Sequence, residues 1–395
     1  MHSPVVTDER RSASAFPAGR IAVSMLFFAN GFLVGSWAPK IPDFAGRLGL
    51  TESGLGLMIL VFGLGSLVMM PLVGGLIARH GSSNLLKATA IGAVPTLLLL
   101  TLAPTIPVAV VTIFLLGGLI GAMDIAMNAN AVIVERRMRR AIMSSCHGFW
   151  SLGGLVGAAI GGPLIAALGI FGHVIVVTLI CGLIVGLSLS MVEQDAPAGT
   201  EKKEPVRLPG SPIPYLLGIM ALFSMTPEGS VLDWGALYLR QELSATLAQS
   251  GFAFAAFSAT MALMRFAGDP IRDRLGAVIT LRLCTLIALT GLVVAGQAPS
   301  ATIAILGFAL AGIGISNMVP IAFSAAGNLP GMAPGIALSV VTFMGYSGIL
   351  VAPSLIGFIA EYTSFSTVFS ALPVLFIVVL LCSRLARHAD MRTDH

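Results

Sequence analysis

Residues 108–134 read VAVVTIFLLGGLIGAMDIAMNANAVIV and run straight into Glu135-Arg136-Arg137-Met138-Arg139-Arg140. At about 1.5 Å of rise per residue, such a run is a helix of about 40 Å, long enough to cross a hydrocarbon core of roughly 30 Å. Cations crowd one end and a single acid, Asp124, stands inside. The stretch therefore reads as a membrane span with a defined orientation and one ionisable group that the bilayer penalises.

The same reading extends to both sides. Apolar runs cut by charged or Pro/Gly-rich breaks fall near 20–40, 52–78, 84–103, 108–134, 142–167, 172–192, 213–239, 247–268, 277–297, 301–326, 335–360 and 365–384. This predicts an all-α membrane protein of twelve transmembrane helices. The composition agrees: the 395 residues are 56% hydrophobic and only 10% charged, with a mean hydropathy of +0.95. No soluble core could bury that much apolar surface, so soluble enzymes and nucleic-acid binders are excluded.

One long polar break, EQDAPAGTEKKEPVRLPGSP at 193–212, separates six spans from six. The expected organisation is a tail at 1–19, a six-helix bundle at 20–192, a linker at 193–212, a second bundle at 213–385 and a tail at 386–395. The first 20 residues lack an apolar core before a cleavage site and read as an uncleaved tail. With the N-terminus inside, cytoplasmic segments hold 18 of the 22 basic residues; Lys40, Arg47 and Arg240 lie outside, and Arg265 lies within a span. That bias predicts both termini in the cytoplasm. The halves also echo each other at an offset of 195: Arg79-His80-Gly81 falls on Arg274-Leu275-Gly276, and Gly153 and Gly162 fall on Gly348 and Gly357. Paired six-span repeats suit a carrier whose halves rock about a site at the midplane.

Five strings carry a resemblance: GGLIARHG, GDPIRDRLG, GAMDIAMNAN, CHGFWSLGG and EGSVLDWGALYL. Together they resemble the major facilitator superfamily and, within it, the fucose-permease-like branch, over essentially the whole chain. Rhizobial proteins proposed to carry rhizopine, an amino-inositol, and uncharacterised enterobacterial inner-membrane proteins resemble the same branch. The resemblance implies two six-helix bundles, alternating access, a bacterial inner membrane and a proton gradient as the usual driving force. Two positions depart from it. The acid of the loop motif after span two is replaced by Ala78, while the second-half copy keeps Asp273-Arg274. The acid of span one is replaced by Ala38, which argues against fucose itself.

Ionisable groups inside spans then nominate a site. Asp124 sits eleven residues before Glu135, hence about 16 Å deep, close to the midplane. Desolvation there penalises the charged carboxylate, so the group can load a proton on one side and release it on the other; by resemblance it matches the acid that fucose permeases use in this span. Asn128 lies one turn along the same face, with a donor and an acceptor to offer a hydroxylated ligand. His147, six residues in from Ala141, reaches a similar depth to Asn128 and could meet it. In span seven, Thr226-Pro227-Glu228-Gly229-Ser230 predicts a break or kink that makes Glu228 a second cavity carboxylate. Asp124, Glu228 and His147 are the proton-coupling candidates, with packing roles as their alternative.

Asn30 and Asn317 are polar residues in apolar runs, either ligand contacts or interhelical glue. Trp37, Trp150, Trp234 and Tyr346 could stack on a sugar or cyclitol ring, though membrane aromatics more often pack or anchor. The expected substrate contacts are Asn30, Trp37, Asp124, Asn128, His147, Trp150, Glu228, Asn317 and Tyr346. Gating is expected of Arg79, of Asp233 pairing with Arg240 or Lys40 outside, and of a cytoplasmic network of Arg265, Asp269, Asp273 and Arg274. Cys146, Cys181, Cys284 and Cys382 sit in apolar runs at irregular spacings, with neither disulfide nor metal-site pattern; no cofactor is expected.

The sequence thus predicts a monomeric secondary transporter, not an enzyme. It would move a small polyhydroxylated solute (a sugar, polyol or amino-cyclitol) with protons and bilayer lipid as its other partners. Proton-driven efflux of hydrophobic cations is the alternative, with Met220, Met225, Met318 and Met344 to line an apolar cavity.

Overall fold

A computed structural model describes residues 17–195 and 209–390, with side chains throughout except at positions 42, 52, 53, 247, 248 and 354. The expected tails and the centre of the linker lie outside the described residues. The fold is all helix. Among the described residues, eleven helical runs are long and apolar enough to cross a membrane: α1 (Ala18–Lys40), α2 (Gly54–His80), α3 (Ser82–Leu102), α4 (Ile106–Met138), Met143–Leu189, α7 (Ile213–Glu242), α8 (Gln249–Leu275), α9 (Ala277–Gly296), α10 (Ala301–Gly327), α11 (Pro334–Tyr362) and α12 (Phe365–Ala389).

The 47 residues of Met143–Leu189 hold two spans. As one helix they would measure about 70 Å, twice the bilayer. Both ends nevertheless lie on one face, since the Glu135 carboxylate accepts from Ile142 N–H while Arg137 pairs with Glu193. The chain must therefore reverse between them, and it does so at Gly169, whose φ of 68° is open to a residue without a Cβ. This divides the run into α5 and α6 and restores twelve spans.

The repeat is visible in the turns. Gly81 and Gly276, 195 positions apart, share one backbone conformation, φ 80° and 78° with ψ 165° and 157°. Each precedes a helix whose first amides are capped by the acid that closes its half. Asp195 accepts from Ser82 N and Ser83 N at 2.6 and 2.9 Å, and Asp390 accepts from Ala277 N at 2.6 Å. A carboxylate at a helix N-terminus satisfies orphan N–H groups and complements the dipole.

Within the first half α1 lies against α5 so closely that a Cβ on Gly31 would strike the Trp150 carbonyl, and one on Gly153 that of Phe28. Small residues permit this contact, and lipid supplies no competing hydrophobic pull. Large apolar side chains such as Leu179, Leu183, Leu263 and Leu381 are exposed around the outside, as a lipid-facing surface requires.

Two seams join the halves, α5 with α8 and α2 with α11. They are related by the repeat and differ in chemistry. In the first, Asp269 caps α5, accepting from Ser144 N at 2.9 Å and Ser145 N at 2.8 Å, and Asp273 accepts from Ala141 N at 2.8 Å. In the second, the positions 195 away are Gly74 facing Ser339, and Ala78 in place of the acid; a Cβ on Gly335 would press on Ile77.

Candidate functional site

The face that carries residues 17 and 390, the terminal face, is held shut by a buried charge cluster. Glu135, fully buried at the end of α4, accepts from Arg272 of α8 at 2.6 Å and from the Ser324 hydroxyl of α10, besides Ile142 N. Arg136 adds bonds to Asn328 Oδ1 and the Gly327 carbonyl, both at 2.5 Å. Above this seal, towards the midplane, polar side chains from both halves form a belt.

The belt starts at Asp124, 4% exposed. Asn128, one turn on, donates to the Asp124 carbonyl at 2.9 Å and to its carboxylate Oδ1 at 3.3 Å. With its amide nitrogen so committed, its oxygen faces His147 Nε2 at 3.2 Å, which sets that ring nitrogen as the donor. Phe27 and Phe323 pack edge-on against the imidazole from opposite halves. Ser151, a turn further along α5, donates to the His147 carbonyl at 3.1 Å and accepts from Arg265 Nη1 at 2.6 Å. Arg265 Nη2 then reaches Glu228 of α7 at 3.3 Å. The belt thus runs from α4 through α5 and α8 to α7. Tyr346 of α11 nearly closes it, with its phenol beside Asp124 and within electrostatic range of Glu228 and Arg265. Asn30 of α1 forms a side branch, accepting from Trp150 Nε1 at 2.9 Å and donating to the Ile120 carbonyl at 3.1 Å.

The two acids differ. Glu228 has a guanidinium partner, whereas Asp124 pairs with no cation among the described residues, and its Oδ2 is buried with no hydrogen-bond partner. Unpaired buried polar atoms are uncommon and call for a proton, a water or a ligand.

Eight of the expected residues meet here: Asn30, Asp124, Asn128, His147, Trp150, Glu228, Tyr346 and Arg265. Others lie elsewhere. The Trp37 ring packs on Phe44 towards the opposite face. Asn317, at a break in α10, donates to the Met264 carbonyl of α8 and so joins two helices of one half. Trp234 stacks on Phe365 and covers Gly357. Asp233 is exposed and forms no ion pair with Arg240 or Lys40; Lys40, buried, donates a hydrogen bond to Thr101 Oγ1 at 2.5 Å. Arg79 and Arg274 are exposed, with no ion pair among the described residues, while Asp269 and Asp273 cap α5.

Two expectations need correction. Arg265 does not join Asp269 and Asp273: four residues place it about 6 Å deeper, where Glu228 and Ser151 take its guanidinium. Of the break or kink expected at Thr226–Ser230, the break is absent: α7 runs continuously through Pro227, and the Ser230 hydroxyl donates back to the Thr226 carbonyl at 2.6 Å. Met225 and Met344 project against Gly345 and Gly218 in the α7–α11 seam. Reading from sequence missed Ser151, which nothing sets apart from other serines, and the Glu135–Arg272 pair, whose members look like ordinary charges at span ends.

A family model for the Major Facilitator Superfamily matches residues 23–238 and 216–394. An uncharacterised MFS-type transporter of Yersinia pestis is 33% identical over 365 residues, 92% of this chain and 95% of that one. Membrane protein MosC of Rhizobium meliloti is 30% identical over 346 residues, 86% and 83% of the two chains. Among solved structures, FucP, the E. coli fucose:proton symporter, is similar in its outward conformation with a TM-score of 0.79 at 16% identity, covering 92% of this chain and 97% of that one.

Proposed function

Because the chain belongs to the Major Facilitator Superfamily, as a multi-pass membrane transporter with a small-molecule substrate, we propose that it moves a sugar, polyol or amino-cyclitol through the polar belt, coupled to protons at Asp124. The bounds of its two bundles follow the sequence reading, 20–192 and 213–385. The terminal face is the cytoplasmic face of a bacterial inner membrane, in keeping with its basic residues, and the protein works as a monomer. The observation that carries this reading is the belt itself. Carboxyls, amides, an imidazole, a phenol and an indole converge at mid-depth in an otherwise apolar bundle, where each polar group costs free energy unless it serves a ligand or a fold. Aromatic and amide groups together suit a ring with hydroxyls on its rim and C–H bonds on its face. Met225 and Met344 fill a helix seam, which leaves little for the apolar cavity that efflux of hydrophobic cations needs.

Detergent-purified protein melted against sugars, polyols, amino-cyclitols and lipophilic cations tests the substrate class. A ligand at a hundred times its Kd adds about 2.7 kcal/mol; stabilisation by lipophilic cations alone would overturn the reading. Liposomes test coupling: a bound polyol that an imposed pH gradient never drives across the membrane would refute it.

A further inference from the structure

Arg20, the third residue of α1, turns inward at the terminal face instead of out to water and is only 6% exposed. Its Nη1 donates to Ser24 Oγ at 2.6 Å and to Cys146 Sγ at 3.2 Å, and its Nη2 donates to Ser145 Oγ at 2.6 Å. None of these partners carries a charge. Arg20 forms no ion pair among the described residues, and it reaches Asp269 only through the Ser145 hydroxyl. Glu193, the acid beside Gly19, is committed to Arg137. The Arg20 Nε has no hydrogen-bond partner among the described residues. A guanidinium withdrawn from water without a counterion is costly. The duplicated architecture does not require one here: 195 positions on, the second half has Tyr215, whose hydroxyl donates to the Pro209 carbonyl at 3.0 Å.

The guanidinium closes one end of an apolar groove of about 380 Å³ between α1, α5 and α6. Met25 and Phe28 of α1, Phe149 and Leu152 of α5 and Ile184 of α6 wall the groove, and Ser24 is its polar exception. Ser24 is held by Arg20, and Arg20 Cζ stands 6.0 Å from the centroid of the Phe149 ring, so cation and groove form one feature. Leu152 and, next to Ile184, Leu183 are exposed on the lipid-facing surface; the groove therefore opens to the bilayer. The rise from Arg20 to Phe28 is about 12 Å, most of the roughly 15 Å of hydrocarbon in one leaflet. We propose that this groove binds one anionic phospholipid of the leaflet at the terminal face, with an acyl chain against Phe28 and Ile184 and the phosphate on the open Nε edge of Arg20. The phosphodiester supplies the missing negative charge and accepts charge-assisted bonds, as basic pockets between membrane helices ask of a headgroup. The lipid thereby joins a chain of contacts that runs from Arg20 through Ser145 to Asp269 and so crosses to α8.

Native mass spectrometry of the purified full-length chain, titrated with phosphatidylglycerol or with phosphatidylcholine of the same acyl chains, ranks the bound lipids. The first phosphatidylglycerol should bind about tenfold tighter than the first phosphatidylcholine, the worth of one charge-assisted bond. Arg20→Gln should abolish that preference, whereas Arg274→Gln, at an exposed cation on the other half, should leave it in place. Ile184→Trp, which fills the groove without touching Arg20, should weaken the first site for both lipids. No preference in the parent, equal losses in Arg20→Gln and Arg274→Gln, or unchanged binding in Ile184→Trp would reduce the site to a diffuse basic surface and overturn the inference. Photo-cross-linking of the parent decides the matter even if Arg20→Gln fails to fold. Phosphatidylglycerol with a diazirine on its acyl chain should label Met25, Phe28 or Phe149, and labelling confined to the rest of the lipid-facing surface would refute the site.

Discussion

Replacing Glu135 by Gln tests what holds the terminal face shut. The carboxylate is fully buried between the halves and is the counterion of Arg272, itself 3% exposed. Glutamine keeps the shape but removes the charge and turns one acceptor into a donor. Arg272 would keep the Ala389 carbonyl at 3.1 Å and at best a neutral amide oxygen in place of its counterion, and its Nη1 already has no partner. Orphaning one member of a buried ion pair costs about 3–5 kcal/mol, and the cost falls on the closed arrangement because separated halves let water reach the guanidinium. Allowing for residual amide contacts, about 3 kcal/mol moves the balance between closed and open by on the order of a hundredfold. Nitroxides at Asn84 and Arg274, exposed positions on opposite halves, would report it by pulsed electron resonance. Cys146, Cys181 and Cys284 are buried, so Cys382→Ser suffices to keep the label off native thiols. The variant should gain a longer-distance population that the parent lacks. Overlaid distributions, or a shift to shorter distances, would refute the assignment of Glu135 as the lock.

Three further outcomes follow from the packing. Arg265→Met leaves Glu228 bare and should lower the melting temperature more than the double change Arg265→Met/Glu228→Met, since removing a buried pair is gentler than orphaning half of it; equal losses would show the pair to be solvated. Gly31→Leu drives a side chain into the Trp150 carbonyl and should cost at least about 1–3 kcal/mol, read as loss of folded protein on size exclusion. Asp390→Ala removes the cap on Ala277 N and should cost about 0.5–2 kcal/mol by thermal melting; no change would mean that water caps α9 equally well.

The sequence discloses the fold well because a bilayer imposes length and continuity. The break expected between 167 and 172 holds the reversal at Gly169, and the 195-residue echo reappears as matched turns and caps. Depth is also legible, since it is counted from charged ends: Asp124, Asn128 and His147 meet where the rise per residue puts them. Direction around the helix is not. Spans buried against neighbours and lipid are apolar on every side, so periodicity cannot say that Asn317 turns to α8 or that Trp37 turns to Phe44. Arg265 shows the same limit. One turn from Asp269 and expected in its network, it turns instead to Glu228 and Ser151, while Asp269 spends both oxygens on the backbone of another half.

The unequal seams give this duplicated architecture a mechanical polarity. Amides held by the carboxylates of Asp269 and Asp273 are short-range bonds that break over a small displacement, and Arg265 must leave Ser151 as they do. The seam of Gly74, Ser339 and Gly335 is backbone against small side chains, which can slide by fractions of an ångström and keep its contacts. One side therefore behaves as a bolt and the other as a bearing. A rocking motion about the pseudo-twofold axis would be skewed, starting with the release of α5 from α8 and turning on α2 and α11.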